Sequence, residues 1–371
     1  MAHELPTHHR ALVLEDREAG FQVKQVSTPR PTHGSTVVRI LSAAVLSYHR
    51  EVYTGERPYA HPLPLVGGLS AVARVVAPGP DTALLEPGKL VYVDCVIHGR
   101  DDPSATFLSA IHEGGSPGSK KLMRDVWRDG NFAEYANVPL ENCIPLDEAK
   151  LCKKLGYTHQ DLMYLSYLLV PYGGLRDIGV QPGDTVTIFP ATGGFGGAGV
   201  QVAVAMGAKV IAMGRNEQGL ARLREHVRSR TPNAVVETVQ TTGDEGKDAE
   251  ALQAVGPIDA ILDLTPPAAA KSPHLKSAAT ALRKGGRMSL MGFGDFSISG
   301  WKVISDDITM KGKLMYSRED MVQFVKMLEN GAFPKGADLV DVKTFALEEW
   351  KEAFDAAAEY MGIGRLVTLV P

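Results

Sequence analysis

The stretch at 185–216, TVTIFPATGGFGGAGVQVAVAMGAKVIAMGRN, leaves this chain few choices of fold. It opens on a β-branched apolar strand at 185–189, set off by the turn residues Pro182, Gly183 and Asp184. Ala191, Thr192, Gly193, Gly194, Phe195 and Gly196 then make an AxGGxG pattern. Small and β-branched residues come next (Ala198, Val200, Val202, Ala203, Ala205), suited to a helix buried against a sheet, and Gly207 closes that helix before a second apolar strand at 209–213. A strand, a glycine turn, a helix and a strand in this order form a dinucleotide cradle. The glycines let the backbone turn sharply and approach an anion, and the helix start offers unpaired N–H groups and partial positive charge.

The residues at the end of the second strand select the cofactor. A site for NAD usually carries an acidic residue there, accepting from the ribose hydroxyls. Here the position holds Gly214, Arg215 and Asn216. Glycine leaves room, and an arginine fork matches a 2′-phosphate with charge-assisted bonds, so NADP(H) is the expected cofactor.

With 371 residues the chain exceeds the usual limit of one core, and two domains are expected. A net charge of −4 without a dense block of like charge points to neither nucleic acid nor a membrane surface as partner. Cys95, Cys143 and Cys152 are too few and too irregularly spaced for a disulfide framework. The start, MAHELPTHHRALVLE, lacks the basic flank and apolar run of a signal peptide, so a cytoplasmic location is expected. Residues 186–208 carry no charge, yet six glycines and a proline argue against a membrane span.

Before the cofactor stretch the chain reads as short strands (11–15, 21–25, 35–42, 66–76, 89–95, 132–138) broken by Gly and Pro, with one helix near 121–127 and a buried helix at 157–170. After it, strands near 234–237, 258–264 and 286–291 alternate with helices near 217–230, 247–254 and 273–282. That order specifies an α/β fold with a doubly wound parallel sheet. A helix at 318–330 and a tail of short strands with a helix at 348–360 complete the chain.

On the motifs LVGGLSAVARVVAPGPD, PGDTVTIFPATGGFGG, AMGAKVIAMGRN, LRKGGRMSLMGFG and IGRLVTLVP, the chain resembles the medium-chain dehydrogenase/reductase superfamily over essentially its full length. The resemblance implies a GroES-like, mostly β catalytic domain (1–166 and 318–371) beside a Rossmann dinucleotide-binding domain (167–317), with the active site in the cleft between them. It also implies a homodimer paired through the edge of the cofactor-domain sheet, and 287–291 is the segment expected to supply that edge.

Departures from the family pattern select a branch. Zinc-dependent members carry a cysteine in the early loop, a GHE motif at the following turn, and a further cysteine or acid before the cofactor domain. Here the early loop reads AVLSYHREVYTG, with Leu46 in it, and Gly68, Leu69 and Ser70 replace GHE. Leucines cannot build a zinc site. The lobe at 99–130 has no cysteine for a structural zinc, and Cys95 with His98 makes only half a ligand set. No metal is expected, and the chain resembles quinone oxidoreductases and enoyl reductases of the zinc-independent branch.

Hydride transfer from a reduced nicotinamide to C=C or C=O leaves negative charge on the acceptor, which a proton or an oriented donor must meet. Tyr48 stands where zinc-containing relatives keep a proton-relay hydroxyl, and Tyr53 and Tyr59 flank the place where enoyl reductases carry a tyrosine. A phenol stays protonated at neutral pH and can donate, so these three are the catalytic candidates, ahead of His49, whose neighbour Arg50 disfavours an imidazolium. Gly292, Phe293 and Tyr316 join the cofactor candidates; Tyr172, Ser317 and Arg318 stand near them, and Met288 and Met291 suggest an apolar wall. The expected function is zinc-independent, NADPH-dependent reduction of a small, largely apolar substrate. The alternatives are a non-catalytic NADPH-binding protein, as in crystallin-like relatives, or an isomerase or cyclase reusing the fold.

Overall fold

The structure is a computed structural model that describes residues 5–371, so the first four residues of the N-terminal stretch lie outside it. The chain divides into two compact units. One holds the residues up to Ser166 with Val340–Met361 and Leu366–Pro371; the other holds Tyr167–Leu339 with Gly362–Arg365.

The first unit is mostly β. A seven-stranded sheet runs in the order Cys143–Pro145, Leu90–Val93, Ala71–Pro78, Ser35–Val45, Arg365–Val370, Asp341–Ala346, with Tyr135–Pro139 also pairing with Ser35–Val45. A second sheet joins Phe21–Ser27, His8–Leu14 and Leu65–Val66. Ser35–Val45 is buried almost throughout rather than on alternate residues, with a register shift between Val37 and Val38, and Val72, Val75, Val91 and Leu369 of its sheet are buried too. In the lobe after Gly99, a helix forms at Pro117–Asp125, earlier than the expected 121–127. Its start is fixed by a reciprocal capping box between Ser116 and Ser119, with Pro117 in the first turn.

The second unit is a six-stranded parallel sheet in the order Val236–Gln240, Lys209–Gly214, Thr185–Phe189, Ile258–Asp263, Leu282–Leu290, Thr309–Gly312. The mixed α/β architecture is thus the one expected, a GroES-like domain and a Rossmann-like sheet. Two details differ. The segment 287–291 is not an edge, because Leu282–Leu290 lies between Ile258–Asp263 and the outermost strand Thr309–Gly312. The helix Arg318–Glu329, expected with the first domain, belongs to the second unit. Its apolar face (Met321, Phe324, Val325, Leu328) is buried, Phe324 meets the Tyr172 ring at 5.0 Å, and Arg176 pairs with Asp320 at 2.9 Å.

The helix expected at 157–170 is interrupted. Thr158 caps a short turn, His159–Leu162, and a second helix, Leu165–Asp177, runs on through Pro171, Gly173 and Gly174. The two glycines make that continuation possible by close approach: a Cβ on Gly173 would lie 2.7 Å from Tyr316, and one on Gly174 would lie 2.3 Å from the Met291 sulfur. No helix of the described residues is long and apolar enough to cross a membrane.

Candidate functional site

In the second unit, the strand Thr185–Phe189 delivers the chain to the glycine turn, and the Ala191 N–H donates to the Met213 carbonyl at 2.8 Å. The helix Gly194–Ala205 begins there with Gly193 as its N-cap, and no side chain of the described residues caps it. Each glycine has its own physical reason. A Cβ on Gly196 would sit 1.9 Å from the Pro190 carbonyl oxygen, so the helix start can approach the turn only without a side chain. Gly193 faces open space, with nothing within 4 Å of its would-be Cβ, which leaves the bare helix start accessible to an anion. Phe195 packs on Tyr167 at 4.8 Å, and the Gly194 backbone passes against that same ring. The residues present therefore fit a bound diphosphate.

The second strand ends without a carboxylate, as expected, and Gly214 lies against Thr192. Arg215 is exposed, and its backbone carbonyl accepts from Gln240 Nε2 at 3.1 Å. Asn216 is the N-cap of the helix Glu217–Arg230, its side chain accepting from the Gly219 N–H at 2.8 Å, so its side-chain oxygen already serves the fold. Gly292 permits a second close approach, since a Cβ there would lie 2.2 Å from the Thr265 nitrogen; beside it the Phe293 ring is half exposed. Tyr316 is buried.

A polar chain that sequence reasoning missed closes this end of the sheet. Asp263 accepts from the Thr265 N–H at 2.9 Å and from its hydroxyl; Thr265 Oγ1 lies 2.9 Å from His274 Nε2, and His274 Nδ1 lies 2.5 Å from Ser272 Oγ. Burial pushes the Asp263 carboxyl above its ordinary range, partly countered by the Thr265 bonds. Burial likewise holds His274 below the ordinary imidazole value, and the Arg215 charge acts in the same direction. The spacing of Asp263, Thr265 and His274 carries no recognisable motif, so only the fold reveals the chain.

In the first unit, the early loop forms the helix His49–Thr54, closed by Gly55 at φ 86°. Helical periodicity turns His49, Val52 and Tyr53 inward and leaves Tyr48, at the N-cap, half-buried. This separates the three tyrosine candidates. Tyr53 is 3% exposed, packs edge-on to Phe21 at 4.8 Å and stacks on Phe354, and its oxygen accepts from the Gly68 N–H at 2.9 Å. Burial raises its pKa well above that of a free phenol. The expectation that Tyr53 is a catalytic donor is therefore corrected: its ring and its oxygen hold the Gly68 turn in place.

Tyr48 and Tyr59 stay together on the half-buried side. Their centroids are 6.3 Å apart, the Arg57 guanidinium lies 4.3 Å over the Tyr48 ring and 5.0 Å over Tyr59, and Tyr59 also meets His112 at 5.0 Å. His49 is fully buried among Tyr53, Phe132 and Phe354, with Nδ1 accepting from the Leu46 N–H at 3.3 Å. Burial pushes its pKa down to about 3, so it is neutral at pH 7 and is no proton donor there.

Leu46 and Leu69 are both buried. Among the described residues no group of three or more His, Cys, Asp or Glu could hold a metal ion. His98 Nδ1 is 2.9 Å from Thr106 Oγ1, and the Cys143 thiol is buried with its pKa raised. The described residues around Leu46 and Leu69 do not offer a donor set that fits a tetrahedral zinc.

A family model described as zinc-binding dehydrogenase matches residues 194–330, and one described as alcohol dehydrogenase GroES-like domain matches residues 32–148. Alcohol dehydrogenase 1 of Neurospora crassa is 26% identical over 377 residues, spanning 98% of each chain. Acryloyl-coenzyme A reductase of Metallosphaera sedula is 24% identical over 251 residues, 64% of this chain and 72% of its own. Among solved structures, a crotonyl-CoA carboxylase/reductase superposes with a TM-score of 0.77 at 15% identity over 99% of this chain and 89% of its own. An E. coli CFT073 protein described as a short chain alcohol dehydrogenase, complexed with NADH, has a TM-score of 0.76 at 19% identity over 99% of this chain and all of its own. These structural likenesses speak to the fold.

Proposed function

The chain belongs to the medium-chain dehydrogenase/reductase superfamily, and from that premise we propose that it is an NADP(H)-dependent reductase that works without zinc. The observation that carries this reading is the half-buried Tyr48, with the buried Leu46 in its own loop and the buried Leu69 at the following turn where the resemblance would place metal ligands. Gly193, Gly196 and the start of the helix Gly194–Ala205 would hold the cofactor diphosphate, and the exposed Arg215 would meet the 2′-phosphate. Bound NADPH supplies the hydride. Tyr48 gives its hydroxyl proton to the atom that gains negative charge, the carbonyl oxygen of a C=O or the α-carbon of an enone, and is reprotonated from solvent. Tyr59 packs beside Tyr48 and limits its motion. The protein works in the cytoplasm as a homodimer. The open strand Thr309–Gly312, exposed along its length and flanked by the exposed apolar Trp301, Ile304 and Leu314, supports pairing with a second copy. Sedimentation showing a monomer at micromolar concentration would refute the dimer.

The test is a turnover screen of ketones, aldehydes, enones and quinones with NADPH and with NADH, with product analysis and with chelator present. NADPH consumption that resists chelation is expected, and the product identifies carbonyl or alkene reduction. Binding without consumption of any acceptor would favour a non-catalytic NADPH-binding protein. Product formation without net consumption would favour an isomerase or cyclase. Loss of turnover on chelation would end the zinc-free reading.

A further inference from the structure

The loop after the helix His49–Thr54 carries a cation that neither the fold nor the proton step accounts for. The Arg57 side chain is only 13% exposed, and its Nε is buried without a hydrogen-bond partner among the described residues. Its nearest acid, Glu51, stands 3.9 Å away with a half-exposed side chain, beyond hydrogen-bond reach. The other charges close by in sequence do not compensate it: Arg50 pairs with Asp355 at 2.8 Å, Glu56 is exposed, and Glu113 pairs with Lys120 at 3.3 Å. His61 and His112 are both held below the ordinary imidazole value by burial, so neither adds a charge at neutral pH.

The two tyrosines do not satisfy this cation either. Tyr48 and Tyr59 meet the guanidinium through their ring faces. Those contacts are attractive, but the Nε–H lies in the plane of the guanidinium, where a ring face offers it no acceptor, and the Glu51 pair at Nη1 is a long one. A mostly buried guanidinium with an N–H unmet and only a long ion pair is costly to the fold, unless an anion from outside completes it. The planar fork presents two parallel N–H groups to a carboxylate, the geometry in which arginine surpasses lysine.

We propose that Arg57 is the anion-recognition residue of the substrate site, and that the natural acceptor carries a free carboxylate within a few bonds of the C=C or C=O that is reduced. The short separation reflects the stacking of Arg57 directly on Tyr48, whose hydroxyl delivers the proton. A 2-oxo acid or a short unsaturated acid meets this requirement. The proposal rests on the reductase reading for the meaning of "acceptor", but the carboxylate site is measurable without turnover.

The first arm is calorimetric binding of oxamate and its neutral isostere oxamide to the full chain, with and without NADPH. Oxamate should bind about 10- to 100-fold more tightly, as expected for a lost charged hydrogen bond. Arg57→Gln and Arg57→Met should remove the difference, while Arg57→Lys keeps part of it; thermal melts identify any variant that fails to fold. Equal binding of the two probes by the unmutated protein, or discrimination that survives in both folded neutral variants, overturns the proposal. The second arm compares kcat/KM for a 2-oxo acid and a 4-oxo-2-enoic acid with their methyl esters and with a coenzyme A thioester. Acid preferred over ester, with the preference lost in Arg57→Gln mainly through KM, supports it. Arg57-dependent use of the thioester but not of either acid overturns it in favour of coenzyme A phosphate recognition. If no acceptor is reduced while oxamate is still discriminated through Arg57, the reductase reading falls and the carboxylate site stands.

Discussion

The two candidate sites are built from opposite materials. In the second unit the glycine turn works by omission: Gly196 clears the Pro190 carbonyl, Gly193 leaves the helix start bare, and Gly214 lets Thr192 pack against the end of the strand. In the first unit the tyrosine loop works by crowding, with Arg57 stacked on Tyr48 and Tyr59 on one side and Tyr53 and His49 locked among Phe21, Phe132 and Phe354 on the other. A backbone cradle tolerates variation in nearly everything except the glycines. A side-chain cluster distributes its roles by which way a short helix turns each residue, and a shift of one position exchanges a catalytic candidate for a structural one.

The sharpest way to break this contrast is to compare two phenols of the same loop. Tyr48→Phe should lower kcat by roughly 10²- to 10⁴-fold with little change in NADPH affinity, because only the donor is lost. Tyr53→Phe should keep kcat within a small factor and instead lower stability by about 1 kcal/mol, the worth of the bond its oxygen accepts from Gly68. Were Tyr53→Phe the mutant that stops turnover, the separation drawn from their burial would be wrong, and Tyr59 would be next to test if neither matters.

On the cradle side the matching pair is Gly196→Ala and Gly193→Ala. The first forces a methyl to within 1.9 Å of a backbone oxygen and should cost about 3 kcal/mol of stability or cofactor affinity, as severe overpacking does. The second meets nothing in the protein and has an ordinary extended backbone at φ −84°, so its melting temperature should hold while NADPH binding weakens. Equal loss of stability in the two would mean that this turn is a packing device rather than a phosphate cradle.

Arg215→Ala probes a smaller term. The arginine is exposed, so its loss should leave stability unchanged and remove about 2 kcal/mol of NADPH affinity, nearly all of any preference over NADH. Equal affinity for both cofactors in the unmutated protein, measured by fluorescence titration, would refute the assignment.

How much the sequence disclosed obeys the same division. The strand, glycine turn, helix and strand at 185–214 are legible because backbone demands are written as residue types in fixed order, and the structure places them within a residue or two. The edge of the sheet is not legible from 287–291, since a strand's neighbours depend on where Thr309–Gly312 docks, and nothing local records that. The helix Arg318–Glu329 is misassigned between the units for a similar reason: its amphipathic face announces burial but not against what, and Phe324 finds Tyr172. Arg57 is inconspicuous in a segment rich in charge, because only the fold shows that its closest partners are two ring faces and that its acid, Glu51, stays 3.9 Å away.

The smallest effect concerns acid. His49 has its pKa pushed down to about 3 by burial, against 6.5 in an unfolded chain, so between those values the unfolded state binds the extra proton and the folded state does not. Stability from this residue is therefore fully present above pH 6.5 and is lost as the pH falls toward 3, by up to about 1.4 kcal/mol per pH unit. His9, His61, His112, His226 and His274 are also held low by burial and add to the same trend, in both units. His49→Phe isolates the contribution of the tyrosine loop: it leaves the Leu46 N–H without its acceptor, a cost that does not depend on pH, while removing one proton site from the slope. Urea unfolding at several pH values between 6 and 4 should show a shallower loss of stability in the variant, with the remaining histidines keeping the slope above zero. An unchanged slope would mean that the imidazole reaches solvent in the folded state, and that the aromatic cluster of the first unit is looser than the rings around His49 imply.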